Sequence, residues 1–102
     1  MSLKKQVLKS KPVCKVTFRV SKGLIGQAES VSLVGDFNGW DTAASPMSKL
    51  KTGEFTSQLT LEKGKAYEFR YLVDGQKWLN EPDADRFVAN SFGEENGVIE
   101  AN

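Results

Sequence analysis

Strict alternation runs through residues 13 to 20. Cys14, Val16, Phe18 and Val20 take one side, and Lys15, Thr17 and Arg19 take the other. A period of two marks a half-buried strand. The same rhythm sets Phe55, Ser57, Leu59 and Leu61 against Glu54, Thr56, Gln58 and Thr60. It is strongest from residue 66 to 73, where Tyr67, Phe69, Tyr71 and Val73 share one face and Glu68, Arg70 and Leu72 the other. Residues 30 to 35 predict a further strand with Val31 and Leu33 inward. Shorter strands are expected at 47–50, 76–79, 87–89 and 98–101.

Turn chemistry separates these runs. Residues 21 to 29 hold two glycines and read as a loop, with Leu24 and Ile25 capping the core. Asp74-Gly75 is a preferred pair for a two-residue hairpin turn. Residues 80–85 form a polar loop and 90–97 a second shaped one. No segment has the periodicity of an amphipathic helix of useful length. Short strands with turns between them predict an all-β chain, an antiparallel β-sandwich.

One stretch stands out. Val-Gly-Asp-Phe-Asn-Gly-Trp (34–40) carries an apolar strand into two glycines, an Asp and an Asn, and ends on Trp40. Gly and Asn tolerate positive φ, so this is a tight turn leaving a strand. Asp36, Asn38 and Gly39 shape it. The indole is followed by Asp41, Thr42 and two alanines, which explains it poorly as core alone.

Length and charge narrow the function. A chain of 102 residues is one domain with a radius of gyration of roughly 13 Å and little room for an enclosed chamber. The boundary is expected at residue 13: residues 1–12 hold Lys4, Lys5, Lys9 and Lys11 and no acid, and read as a flexible basic segment ahead of a 13–102 domain. The net charge of +1 argues against nucleic acid as partner. No apolar run is long enough to span a membrane, and the first residues lack the apolar stretch by which a secretion signal is read, so none is expected in them. The single cysteine, Cys14, falls on an apolar face and reads as a buried thiol; a reducing, cytoplasmic setting is expected.

Catalysis is disfavoured. The chain has no histidine, the usual general base and metal ligand. Glu81, Asp83 and Asp85 recur at every second position, a weak oxygen-ligand pattern without the glycine and distal Glu of a calcium loop; a solvated acidic loop is the preferred reading. Paired carboxylates would need a cleft to hold them at set separations. No catalytic residue, metal ligand or cofactor is therefore predicted.

Binding fits better. Trp40 and Trp78 each adjoin turn residues, Arg70 lies on a polar strand face, and Asn96 sits in a loop with glycine. A hexose offers a C–H face that stacks on an indole and hydroxyls that meet polar side chains at the rim. Such sites are shallow, with affinities of about −4 to −6 kcal/mol. Tryptophans in sandwiches also serve as core, and on pattern alone the two readings stand even.

Four motifs go further: residues 34–40, Tyr-Glu-Phe-Arg-Tyr-Leu-Val-Asp-Gly-Gln-Lys-Trp (67–78), Asn-Glu-Pro-Asp-Ala (80–84) and Phe-Gly-Glu-Glu-Asn-Gly-Val-Ile (92–99). Their order and spacing, over residues 13 to 101, strongly resemble the early-set glycogen- and starch-binding module, carbohydrate-binding module family 48. That module precedes the catalytic domain in isoamylases and branching enzymes. It also forms the glycogen-binding domain of the β subunit of AMP-activated protein kinase. The resemblance implies an immunoglobulin-like sandwich that binds α-1,4-linked glucan without catalysis. Trp40 and Trp78 match the two stacking tryptophans, with Lys77 lengthening the second hairpin by one residue. Arg70 takes the place of a sugar-contacting lysine, and Asn96 matches a hydroxyl-binding asparagine. Phe92 replaces a leucine that enters the helical glucan. Glu94 stands where the family has a sugar-contacting threonine, a departure from the pattern. Enzyme-attached members of the family often serve as packing partners instead, so the alternative is a scaffold module docking to a glycan-active enzyme or kinase-type partner.

Overall fold

A computed structural model describes residues 3–101. Among these residues nine strands form two antiparallel sheets: β1 (Leu3–Val7), β2 (Val13–Val20), β3 (Val31–Gly35), β4 (Ser48–Lys49), β5 (Phe55–Glu62), β6 (Ala66–Val73), β7 (Lys77–Leu79), β8 (Arg86–Ala89) and β9 (Glu95–Glu100). The first sheet runs β1-β2-β5-β4; the second runs β3-β6-β9-β8, with β7 also paired to β6. The result is an immunoglobulin-like β-sandwich with a radius of gyration of 13.2 Å. Helical structure is limited among the described residues to one turn at Lys22–Ile25 and a 3₁₀ turn at Asp36–Asn38. Among them no helix is long and apolar enough to cross a membrane.

The core lies where the alternating faces meet. Cys14, Val16, Phe18 and Val20 from β2 pack with Phe69, Tyr71 and Val73 from β6 and Leu33 from β3. Leu24 and Ile25, from the helical turn, pack against this core partly buried. The Phe18 and Phe69 rings meet edge-on at 5.3 Å between centroids, the geometry the ring quadrupoles favour.

Three local expectations are corrected. Residues 3–7 are not a frayed tail: β1 pairs with β2 from Leu3↔Phe18 to Val7↔Cys14, and Leu3 is buried. Without β1 that edge of β2 would be open, so pairing outweighs the freedom of a short basic segment. Lys5 adds an ion pair to Asp85 at 2.7 Å. Glu81 is not part of a solvated acidic loop; it is 0% exposed. Its carboxylate accepts from the Tyr71 hydroxyl at 2.7 Å and from the Asp83 backbone N–H at 2.7 Å. Burial above all, then the Glu81 carboxylate, pushes the Tyr71 phenol far above its usual range. Finally, the expected two-residue turn at 74–75 is longer: both residues have positive φ, and Gln76 N–H closes the turn on Val73 C=O at 3.0 Å. The ladder resumes only at Val73↔Lys77, so three residues connect the strands.

Candidate functional site

The site grows from one strand whose far edge is divided between two partners. On one edge β6 pairs with β3, from Phe69 to Val73. On the other, its first half pairs with β9 (Ala66 to Phe69) and its second half with β7 (Tyr71 to Val73). Arg70 falls at the junction. Alternation turns Phe69 and Tyr71 into the core and leaves Glu68 and Arg70 on the outer face. Trp78 lies directly across from Leu72, so its ring takes the same outer face. The Arg70 guanidinium sits 5.8 Å from the centre of the Trp78 ring, within cation–π range. Asn80, just past β7, accepts from Arg70 Nε at 3.1 Å and donates to the Glu95 carbonyl at 2.9 Å. It thus ties the end of β7 to the start of β9 across the junction.

The turn after β3 presents Trp40. Gly35 is extended, so its conformation suits any residue; space does not. A Cβ there would lie 2.5 Å from the Glu68 carbonyl and 2.6 Å from Phe69 Cβ. Phe37 turns inward, its ring centroid 6.0 Å from Phe18 and 6.3 Å from Phe69, and plugs the turn into the core. The Asn38 carboxamide accepts from Gly35 N–H at 3.1 Å and donates to the Leu33 carbonyl at 2.8 Å and Ser45 Oγ at 3.1 Å. Asp36 spans two elements: one oxygen accepts from Trp40 Nε1 at 2.8 Å, the other from the Glu68 N–H at 2.9 Å. Trp40 itself has φ 60°. A bulky residue in the left-handed region is rare and costs energy. The turn holds its indole in that conformation.

The loop between β8 and β9 supplies the third wall. Asn90 organises it: its side-chain oxygen accepts from the N–H of Phe92 at 2.9 Å and of Glu94 at 3.0 Å. Gly93 takes the positive φ the loop requires. Phe92 is thereby lifted clear of the domain, 86% exposed. Asn96 lies below at 8% exposure, accepting from Asn90 Nδ2 at 3.1 Å and donating to Glu68 Oε1 at 3.1 Å. Glu94 pairs with Arg70 at 2.9 Å.

These three parts border an open pocket of about 860 Å³ whose lining includes Trp40, Arg70, Trp78, Phe92 and Asn96. All five residues singled out by sequence come together, and Trp78 is 38% exposed rather than core. The lengthened hairpin leaves Trp78 on the pocket face. Further residues line it: Asp36, read from the sequence as shaping the turn, together with Glu68 and Asn90, which that reading did not single out. Strand alternation placed Glu68 beside Arg70 on the polar face. Nothing local in the sequence marked Asn90 or Asn80, whose contacts lie across strands. Two indoles, an exposed phenyl ring and a rim of amide, guanidinium and carboxylate groups suit a flat, hydroxylated ligand. Among the described residues no group of three or more His, Cys, Asp or Glu converges as metal ligands do.

Comparison with known proteins gives the family. Residues 18–102 match the family described as the glycogen recognition site of AMP-activated protein kinase. Protein PTST, chloroplastic, from Arabidopsis thaliana is 39% identical over 61 residues, covering 58% of this chain and 21% of that protein. The chain therefore spans only a small part of that curated relative.

Proposed function

The chain belongs to the family of the glycogen recognition site of AMP-activated protein kinase, a carbohydrate-binding and non-catalytic kind of module, and from that premise we propose that it binds α-1,4-linked glucan in the pocket between Trp40, Trp78 and Phe92. The observation that carries this reading is the convergence of both indoles and Arg70 on one pocket. Each indole offers a face to the C–H side of a glucose ring. The Arg70 N–H groups not committed to Asn80 and Glu94, with the Asn96 carboxamide, meet the hydroxyls. Phe92 stands free to enter the turn of a helical glucan. No step of bond cleavage is assigned to the domain.

Titration with maltoheptaose or β-cyclodextrin, followed by tryptophan fluorescence, tests this. Saturable quenching or enhancement is expected at sub-millimolar to millimolar sugar, about −4 to −6 kcal/mol. Silence at millimolar sugar, or an unchanged affinity in Trp40→Ala, overturns it.

A second reading draws on the exposure of Phe92. An aromatic standing clear of the surface is also a protein hot spot, and the domain would then dock to a glycan-active enzyme or a kinase-type partner. Passage through an amylose column without retention, with one defined protein co-purifying, favours that reading. A cytoplasmic setting is proposed on the buried free thiol of Cys14.

A further inference from the structure

The charge of the pocket is at odds with the charge of its most prominent polar residue. Arg70 is the one cationic side chain among the described lining residues, against three carboxylates: Asp36, Glu68 and Glu94. Two of these face inward duties. Asp36 holds Trp40 Nε1 and the Glu68 N–H, and Glu68 holds Asn96. Glu94 has no such duty to the fold; its side chain is 59% exposed and its carboxylate closes on Arg70 NH1 at 2.9 Å. It cancels the single positive charge at the point where a sugar hydroxyl or an anionic substituent would reach the guanidinium.

Resting on the glucan reading above, the geometry points to Glu94 as a selectivity residue that makes this pocket discriminate against phosphorylated glucan in favour of the neutral chain. A phosphomonoester on a bound glucose carries close to two negative charges at neutral pH. It would enter a rim with a formal excess of two negative charges, its only countercharge already paired. Like charges at such separations repel, the more so where protein displaces water, and salt screens the repulsion. A neutral hydroxyl meets no such barrier and is served by the remaining Arg70 N–H groups and by Asn96.

The probes are β-cyclodextrin and β-cyclodextrin phosphorylated at its primary hydroxyls, titrated into the intact chain and into Glu94→Gln. Gln keeps an amide oxygen for Arg70 and removes the charge, on an exposed side chain that does not bear on folding. In the unsubstituted chain the phosphorylated ring is expected to bind about fivefold or more weaker at low salt, the gap narrowing as sodium chloride rises. In Glu94→Gln the ratio of the two affinities is expected to move toward one or to invert. Equal affinities at low salt overturn the inference. So does a gap that Glu94→Gln leaves unchanged: if salt does not alter it either, bulk excludes the phosphate, and if salt narrows it, Asp36 and Glu68 supply the repulsion instead. If the neutral ring fails to bind at all, the glucan reading falls with it, an outcome distinct from both.

Discussion

One carboxylate couples Trp40 to the strand beneath it: Asp36 accepts from Trp40 Nε1 at 2.8 Å through one oxygen and from the Glu68 backbone N–H at 2.9 Å through the other. The side chain that shapes the turn therefore also aims the ring. Asp36→Ala is expected to lower glucan affinity about tenfold through loss of ring position, and stability by about 1–2 kcal/mol through two lost charge-assisted bonds. Calorimetric titration beside a urea melt separates the two; full affinity in the variant would show that Asp36 does not orient the ring.

Trp40 sits at φ 60°, where a side chain brings strain and glycine does not. Trp40→Gly is expected to abolish measurable glucan binding while changing unfolding free energy by less than about 1 kcal/mol, strain relief offsetting lost contacts. A large stability loss in urea would mark Trp40 as a core residue instead.

Gly35 answers to space rather than conformation. Its missing Cβ would fall 2.5 Å from the Glu68 carbonyl and 2.6 Å from Phe69 Cβ, both held in the β6 ladder. Gly35→Ala is expected to cost about 2–3 kcal/mol by overpacking and to weaken binding, because the displaced segment carries Asp36 and Trp40. The urea midpoint checks the first and sugar titration the second.

The Tyr71–Glu81 pair sets an alkaline limit. Tyr71 ionises far above its usual range while folded, chiefly because it is buried; unfolded, it ionises near about 10. Its contribution to stability is thus complete below that pH and is lost progressively above it, as the unfolded state sheds a proton that the folded state keeps. Stability is expected to decline above about pH 10, with one tyrosine's phenolate absorbance appearing only as the fold is lost. Tyr71→Phe should remove that coupling and cost about 2 kcal/mol at neutral pH, by leaving a buried Glu81 oxygen unpaired.

The domain's strands and its aromatic candidates were legible because alternation is a local signal. Cys14 to Val20, Phe55 to Leu61 and Tyr67 to Val73 each declare one buried face within a few residues, and Asp-Gly and Asn-Gly-Trp mark turns by backbone chemistry alone. Motif order identified the family and the five residues around the pocket. The rest depends on what lies across the sheets. The pairing of Leu3–Val7 with β2 satisfies an edge that no short window reveals. Glu81 looks like a solvent residue until Tyr71, ten positions away, donates to it in the interior. Only the division of one β6 edge between β7 and β9 puts Arg70 at a junction, with Asn80 stitching it and Glu94 pairing it. The sequence by itself determined the strands and the alternation of their two faces. Tertiary structure decided which side chains meet and what charge the pocket carries, because those depend on register between strands distant in the chain.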